Sequence, residues 1–206
     1  PDEAGLFSYG AASPSPTGKS AKAGCVAERK SSGKGVPPAV QLLLHCPGQT
    51  VRVCDRPACS SGVEAAWVAN EGAVVRFIRR EGWAQSESAV YEWDGRRDVI
   101  GKLYATSALL LDCQPRGVRQ LLCLRETSLL PRHLAAIDLV RGRVTVAADF
   151  NPEFSHLKRG RVERILLKGA AGAEAFGDLV YPANYRPGRR YPLIVVQYES
   201  RGFLRG

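Results

Sequence analysis

Methionine is absent from this chain of 206 residues, which begins at Pro1. That absence predicts a piece of a longer protein whose natural start lies outside it. Long hydrophobic runs are also missing. A membrane-spanning helix needs about 18 consecutive apolar residues, and the longest stretches here, such as Tyr191 to Val196 and Ala108 to Leu111, are strand-sized. Membrane insertion is therefore not expected. Histidine is scarce: His45, His133 and His156 are the three, and none has a serine and an aspartate in a triad-like setting. No His/Cys cluster has zinc-ligand spacing, and Cys54-x4-Cys59 occurs once, so no metal site is expected. The Gly-x-Ser-x-Gly elbow that exposes a nucleophilic serine on a strand-to-helix turn is absent.

What is present is an ordinary globular composition, 45% hydrophobic and 24% charged, which can build a core. The formal net charge is +9. The basic residues are spread along the chain, with Lys19, Lys22, Arg29, Lys30 and Lys34 in a Gly/Ser-rich stretch read as a solvated loop. A nucleic-acid partner is not expected from so diffuse a pattern. There are six cysteines. Cys113 and Cys123 flank the turn Gln114-Pro115-Arg116-Gly117 and fall on neighbouring strands. They are either a disulfide across a hairpin or a pair of buried thiols. Oxidised pairs would place the protein in a periplasm or outside the cell.

Residues 1–38 are rich in Gly, Ser, Ala and Pro and read as a strand remnant followed by a long flexible loop. From residue 39 to 155 short apolar runs alternate with turn signals. The runs are Ala39 to His45, Thr50 to Cys54, Glu64 to Val68, Ala73 to Arg79, Ser88 to Trp93, Leu103 to Asp112, Arg119 to Arg125, Leu134 to Leu139 and Arg143 to Ala148. Strands of about five to seven residues at spacings of roughly ten indicate an all-β sandwich, barrel or propeller. Grouped in fours over roughly 45 to 50 residues, they are blade-sized, so a partial β-propeller of antiparallel strands is expected. Asn151-Pro152-Glu153 then punctuates the chain. Three further strands follow, Val162 to Leu167, Ala175 to Tyr181 and Tyr191 to Tyr198. The apolar continuity of the last suits a central strand buried on both faces of an α/β sheet.

The segments Val162-Glu163-Arg164-Ile165, Gly177-Asp178-Leu179-Val180-Tyr181-Pro182 and Tyr185-Arg186-Pro187-Gly188-Arg189-Arg190-Tyr191-Pro192-Leu193-Ile194-Val195-Val196-Gln197-Tyr198 resemble the opening of the α/β-hydrolase domain in the prolyl oligopeptidase family of serine peptidases. That family joins a β-propeller to a peptidase domain. The resemblance implies a mainly β chain: a partial β-propeller over 39–155, then the first strands of an α/β-hydrolase domain over 156–206. Many relatives continue with Tyr-Gly-Gly-Pro, whereas this chain reads Tyr198-Glu199-Ser200-Arg201-Gly202-Phe203-Leu204-Arg205-Gly206. That tail is similar to the lasso peptide isopeptidases, which cleave the isopeptide bond closing a macrolactam ring.

The resemblance implies a lasso peptide substrate, covalent serine chemistry and no cofactor. It makes Tyr198 an oxyanion donor; otherwise Tyr198 is an aromatic cap on the sheet end. Glu199 and Arg201 follow at the C-terminal end of a strand, where α/β folds place ligand contacts, or lie in a solvated loop. Ser200 lacks the elbow context of a nucleophile, and the family's Ser, Asp and His would all lie beyond Gly206. The isolated piece would then be inactive. Trp83, Tyr91 and Trp93 either line a pore or fill blade cores. The alternatives are a dipeptidyl or acylaminoacyl peptidase of the same family, or a non-catalytic propeller used as a binding scaffold.

Overall fold

The structure, a computed structural model, describes residues 24–32, 39–69 and 72–196. Among these the chain is mainly β, without an α-helix, as the sequence leads one to expect. It divides into two compact units, residues 1–79 with 90–103 and residues 80–89 with 104–206.

In the first unit, β1 (Val26–Ser32), β2 (Ala39–His45) and β3 (Arg52–Cys54) form a sheet in that order. Composition placed Val26–Ser32 inside a flexible loop, yet it is a strand. The reason lies in its partner: β2 carries the apolar run Val40-Gln41-Leu42-Leu43-Leu44, whose backbone groups need pairing on both edges. β1 supplies one edge in continuous antiparallel register, from Val26 opposite His45 to Ser32 opposite Ala39. Cys25 and Cys46 join the ends of the pair with their Cα atoms 4.1 Å apart. Cys54 is bonded to Cys59 in the 3-10 turn Pro57–Cys59. These cysteines border a core in which Leu42, Val75 and Phe77 are fully buried and Trp93 nearly so. Each such side chain contributes about 2 kcal/mol by leaving water.

The strands β4 (Val63–Ala69), β5 (Val74–Glu81), β6 (Glu87–Asp94) and β7 (Val99–Thr106) form a four-stranded meander. In β5, strict alternation fails: Val75, Arg76, Phe77 and Ile78 are all buried, so both faces are covered. Arg76 tolerates this because its guanidinium bonds the Glu92 carboxylate at 2.8 Å.

The second unit holds another four-stranded meander, β8 (Leu109–Arg116), β9 (Gln120–Thr127), β10 (Leu130–Asp138) and β11 (Arg143–Ala148). The single strand expected over Leu103 to Asp112 is in fact the end of β7 and the start of β8. The break falls at Ser107, where the Ala108 N–H donates to Thr106 Oγ1 at 3.1 Å and turns the chain. The pairing of β8 with β9 slips between Leu111 and Gln114, a bulge at which Asp112 adopts φ 46°. The hairpin β12 (Val162–Lys168) and β13 (Glu174–Val180) completes this unit.

The third strand expected from Tyr191 onward is not formed over residues 191–196. Leu193, Ile194, Val195 and Val196 are 73–84% exposed and carry no sheet pairing. An apolar run becomes a strand only when an edge is available to it. Among the described residues no strand pairs with this run.

The disulfide Cys25–Cys46 closes a loop with a sequence separation of 21. Replacing both cysteines by serine is expected to lower unfolding stability by about 3 kcal/mol. Urea denaturation of the oxidised protein measures this, and hydrogen exchange should show β1 losing protection first.

Candidate functional site

The hairpin β12–β13 is short, and a two-stranded ribbon is marginal in water by itself. Its position is set by polar contacts. The register that pairs Lys168 with Glu174 also pairs Arg164 with Asp178. Across the ribbon, Arg164 Nε and a terminal nitrogen donate to the two Asp178 oxygens at 2.8 and 2.9 Å. The other terminal nitrogen, Nη1, donates to the Ser86 carbonyl at 2.8 Å. The guanidinium also lies 4.6 Å from the Phe176 ring centroid. Ser128, in the turn between β9 and β10, donates its hydroxyl to Asp178. The Arg164 hydrogen bond, followed by that of Ser128, holds the Asp178 carboxyl below the usual aspartate range; Asp178 in turn raises Arg164.

A second clasp holds the turn end of the ribbon. Trp83 Nε1–H is shared between the carbonyls of Leu167 (3.0 Å) and Ala175 (2.8 Å). The Ala84 N–H donates to Glu174 at 2.9 Å. Ala84 and Gln85 sit at φ 49° and 58°, left-handed values that cost a non-glycine residue stability. The ribbon contacts of Trp83 and Ala84 brace this turn, and the Gln85 N–H donates back to Gly82 at 3.1 Å.

Beyond β13 the chain forms an aromatic cluster. Arg161 stacks 3.7 Å over the Tyr181 ring, and Tyr181 and Tyr185 meet edge to face at 4.6 Å. Tyr191 lies 5.4 Å from Tyr185. The Tyr181 hydroxyl donates to Glu163 at 2.8 Å, which lowers the Glu163 pKa and raises that of Tyr181.

The cluster leads to the residues singled out from the sequence. Tyr198, Glu199, Ser200 and Arg201 lie outside the described residues. The other candidates are placed. Trp93 is 1% exposed, with its indole N–H on Asp98, so it fills the core. Tyr91 stacks on Phe77 at 5.5 Å. Trp83 is half-buried and does not fill a blade core; its indole N–H clasps the ribbon. His45 bonds Glu28, and His133 Nδ1 lies 2.9 Å from the Pro131 carbonyl, so neither is joined to a serine. The sulfurs of Cys113 and Cys123 lie at bonding distance across the β8–β9 pair. No cluster of metal-ligating side chains occurs among the described residues.

Arg164, Asp178 and Ser128 were not singled out from the sequence. The available signal was an opposite charge at mirror positions about the 169–173 turn.

No family model matches the chain. It is 39% identical over 169 residues to lasso peptide isopeptidase AtxE2 of Asticcacaulis excentricus, a match covering 82% of this chain and 24% of that protein. The chain is a homologue of a lasso peptide isopeptidase. It spans about a quarter of that relative's length. A solved structure of the AtxE2 isopeptidase, a serine-to-alanine variant with Astexin3-dC4 bound, superposes with a TM-score of 0.74 at 32% identity over 94% of this chain and 29% of that one. The apo AtxE2 isopeptidase gives 0.72 at 33% identity over 88% and 28%. The resemblance to lasso peptide isopeptidases stated from the sequence is thus borne out, as is the mainly β fold.

Replacing Asp178 by Asn is expected to lower the stability of the second unit by about 2 kcal/mol, since Arg164 keeps its burial and loses its counter-charge. The native Asp178 pKa is depressed, so its contribution is complete above the unfolded aspartate value of about 3.9 and is lost as pH falls through the lower native value. Thermal melts between neutral and acid pH check both points: the wild-type advantage over Asp178→Asn should vanish only at the acid end.

Proposed function

We propose that this chain is a section of a lasso peptide isopeptidase: blades of a β-propeller over 39–155, then the opening of an α/β-hydrolase domain over 156–206. The observation that carries this reading is the 39% identity to AtxE2 over 169 residues. Two features support it. The meanders β4–β7 and β8–β11 each have the strand number and order of one blade. The β12–β13 ribbon follows directly, in the place where the peptidase domain would begin.

The parent protein hydrolyses the isopeptide bond of a macrolactam ring by serine acyl-enzyme chemistry. That AtxE2 was solved with its peptide as a serine-to-alanine variant is in keeping with a serine nucleophile. Within this section Tyr198 supplies a hydroxyl to the oxyanion, where a fixed donor stabilises the charge that develops on the carbonyl oxygen by about 3 kcal/mol. Glu199 and Arg201 contact the peptide. No metal or organic cofactor takes part. The substrate is a peptide, not a nucleic acid.

Incubating the full-length protein with a threaded lasso peptide and with a dipeptidyl chromogenic substrate tests the activity. Ring opening is expected, read as a gain of one water in mass. Cleavage of the dipeptidyl substrate alone would instead make it an ordinary exopeptidase, and cleavage of neither a binding scaffold. In the active protein, Tyr198→Phe should lower kcat on the order of a hundredfold with KM little changed.

A further inference from the structure

Four arginines that lie apart in the sequence are brought to one end of the second meander. Its strands place the β8–β9 turn and the β10–β11 turn at one end of the sheet. Each turn carries the same set of residues. The first is Arg116-Gly117-Val118-Arg119 and the second Val140-Arg141-Gly142-Arg143. Gly117 and Gly142 take nearly the same left-handed φ, 63° and 64°. Arg119 and Leu139 tie the two turns together through a backbone hydrogen bond of 2.8 Å.

The register aligns the rest. Arg116 lies opposite Gln120, Gln120 opposite Asp138, and Asp138 opposite Arg143. Arg116 and Arg143 therefore stand three strand spacings apart, roughly 14 Å, on one face of the sheet. All four arginines are exposed; Arg141 and Arg119 also attract the Asp138 carboxylate, more weakly than the backbone N–H groups of Arg141 and Val140 that hold its pKa down. Asp138 is the acidic group facing them, and it is occupied: its carboxylate accepts the N–H groups of Val140 (2.9 Å) and Arg141 (3.0 Å). Between the arginines, Val118 and Val140 project at 58% and 68% exposure.

Guanidinium groups match phosphate oxygens in bidentate geometry. An apolar side chain at a turn tip, flanked by such groups, suits the boundary between lipid headgroups and acyl chains. The ribbon, through Asp178, and Arg159 ahead of it dock on the opposite end, at the Ser128–Leu129 turn, roughly 25 Å away along the strands.

We infer that Arg116, Arg119, Arg141 and Arg143, with Val118 and Val140, form a docking surface for an anionic lipid bilayer. The contact is peripheral, through headgroup phosphates, with no spanning segment. It does not depend on the proposed isopeptidase activity.

The test is cosedimentation of the full-length protein with vesicles of equal parts phosphatidylglycerol and phosphatidylcholine, against vesicles of phosphatidylcholine alone. Binding to the anionic vesicles only, weakened by salt, is expected. Each arginine replaced by glutamine should weaken partitioning about fivefold, and all four on the order of several hundredfold. The four-lysine variant should retain most of the binding, which separates loss of charge from loss of fold. Val118→Ser with Val140→Ser should weaken binding further at unchanged charge. Equal binding to neutral vesicles, or a glutamine variant that binds like wild type, would overturn the inference. So would binding that soluble oligoglutamate abolishes and the valine changes leave untouched, since the surface would then be one for acidic peptides. Ring-opening activity on a soluble substrate should be the same in all variants.

Discussion

The side chain of Arg164 is the constraint on which the second unit depends. A hairpin of seven-residue strands has little apolar surface to bury, and β12–β13 leaves Leu166 and Leu167 largely exposed. Conformational entropy therefore opposes fixing it in one place. One guanidinium offsets this by spending its donors in three directions at once: on Asp178 across the ribbon, on Ser86, and, more weakly, on the Ser107 carbonyl. Asp178 extends the tie to Ser128. A lysine in the same place could not reach these acceptors together, because it lacks the planar fork.

The same economy governs the first unit by a different means. There the N-terminal sheet has three strands, one of only three residues. Cys25–Cys46 and Cys54–Cys59 close its ends, and Arg52 and Arg29 hold it to backbone carbonyls at Gly95 and Val63. Covalent and hydrogen-bonded anchors stand in where small sheets cannot bury enough surface.

Much of this was legible in the sequence, and the reasons it was or was not are specific. Turn residues flank β2, β6, β9 and β11, so these strands could be placed within a few residues. β1 was not legible: Glu28-Arg29-Lys30-Ser31-Ser32 has the composition of a loop and becomes a strand only because β2 needs an edge. The break at Ser107 was hidden by apolar residues on both sides. Residues 193–196 were the converse case, a strong strand pattern without a partner. For the site, local pattern carried little. The Arg164–Asp178 pair depends on a register, and the Trp83 clasp joins residues far apart in the chain. The resemblance at the C-terminal end was legible because it rests on contiguous residues, and the likeness of the chain to a lasso peptide isopeptidase is what the comparison with AtxE2 supports.

The Trp83 clasp also bears on how the protein comes off the ribosome. Its indole N–H waits for carbonyls 84 and 92 residues further on. At about 5–20 residues per second of synthesis, that interval lasts on the order of ten seconds. The left-handed backbone at Ala84 and Gln85 has no partner from the ribbon during that time. Folding of this unit is thus ordered in time: the β8–β11 meander can close while the Trp83 turn is still unanchored. The turn locks only when the β12–β13 ribbon emerges.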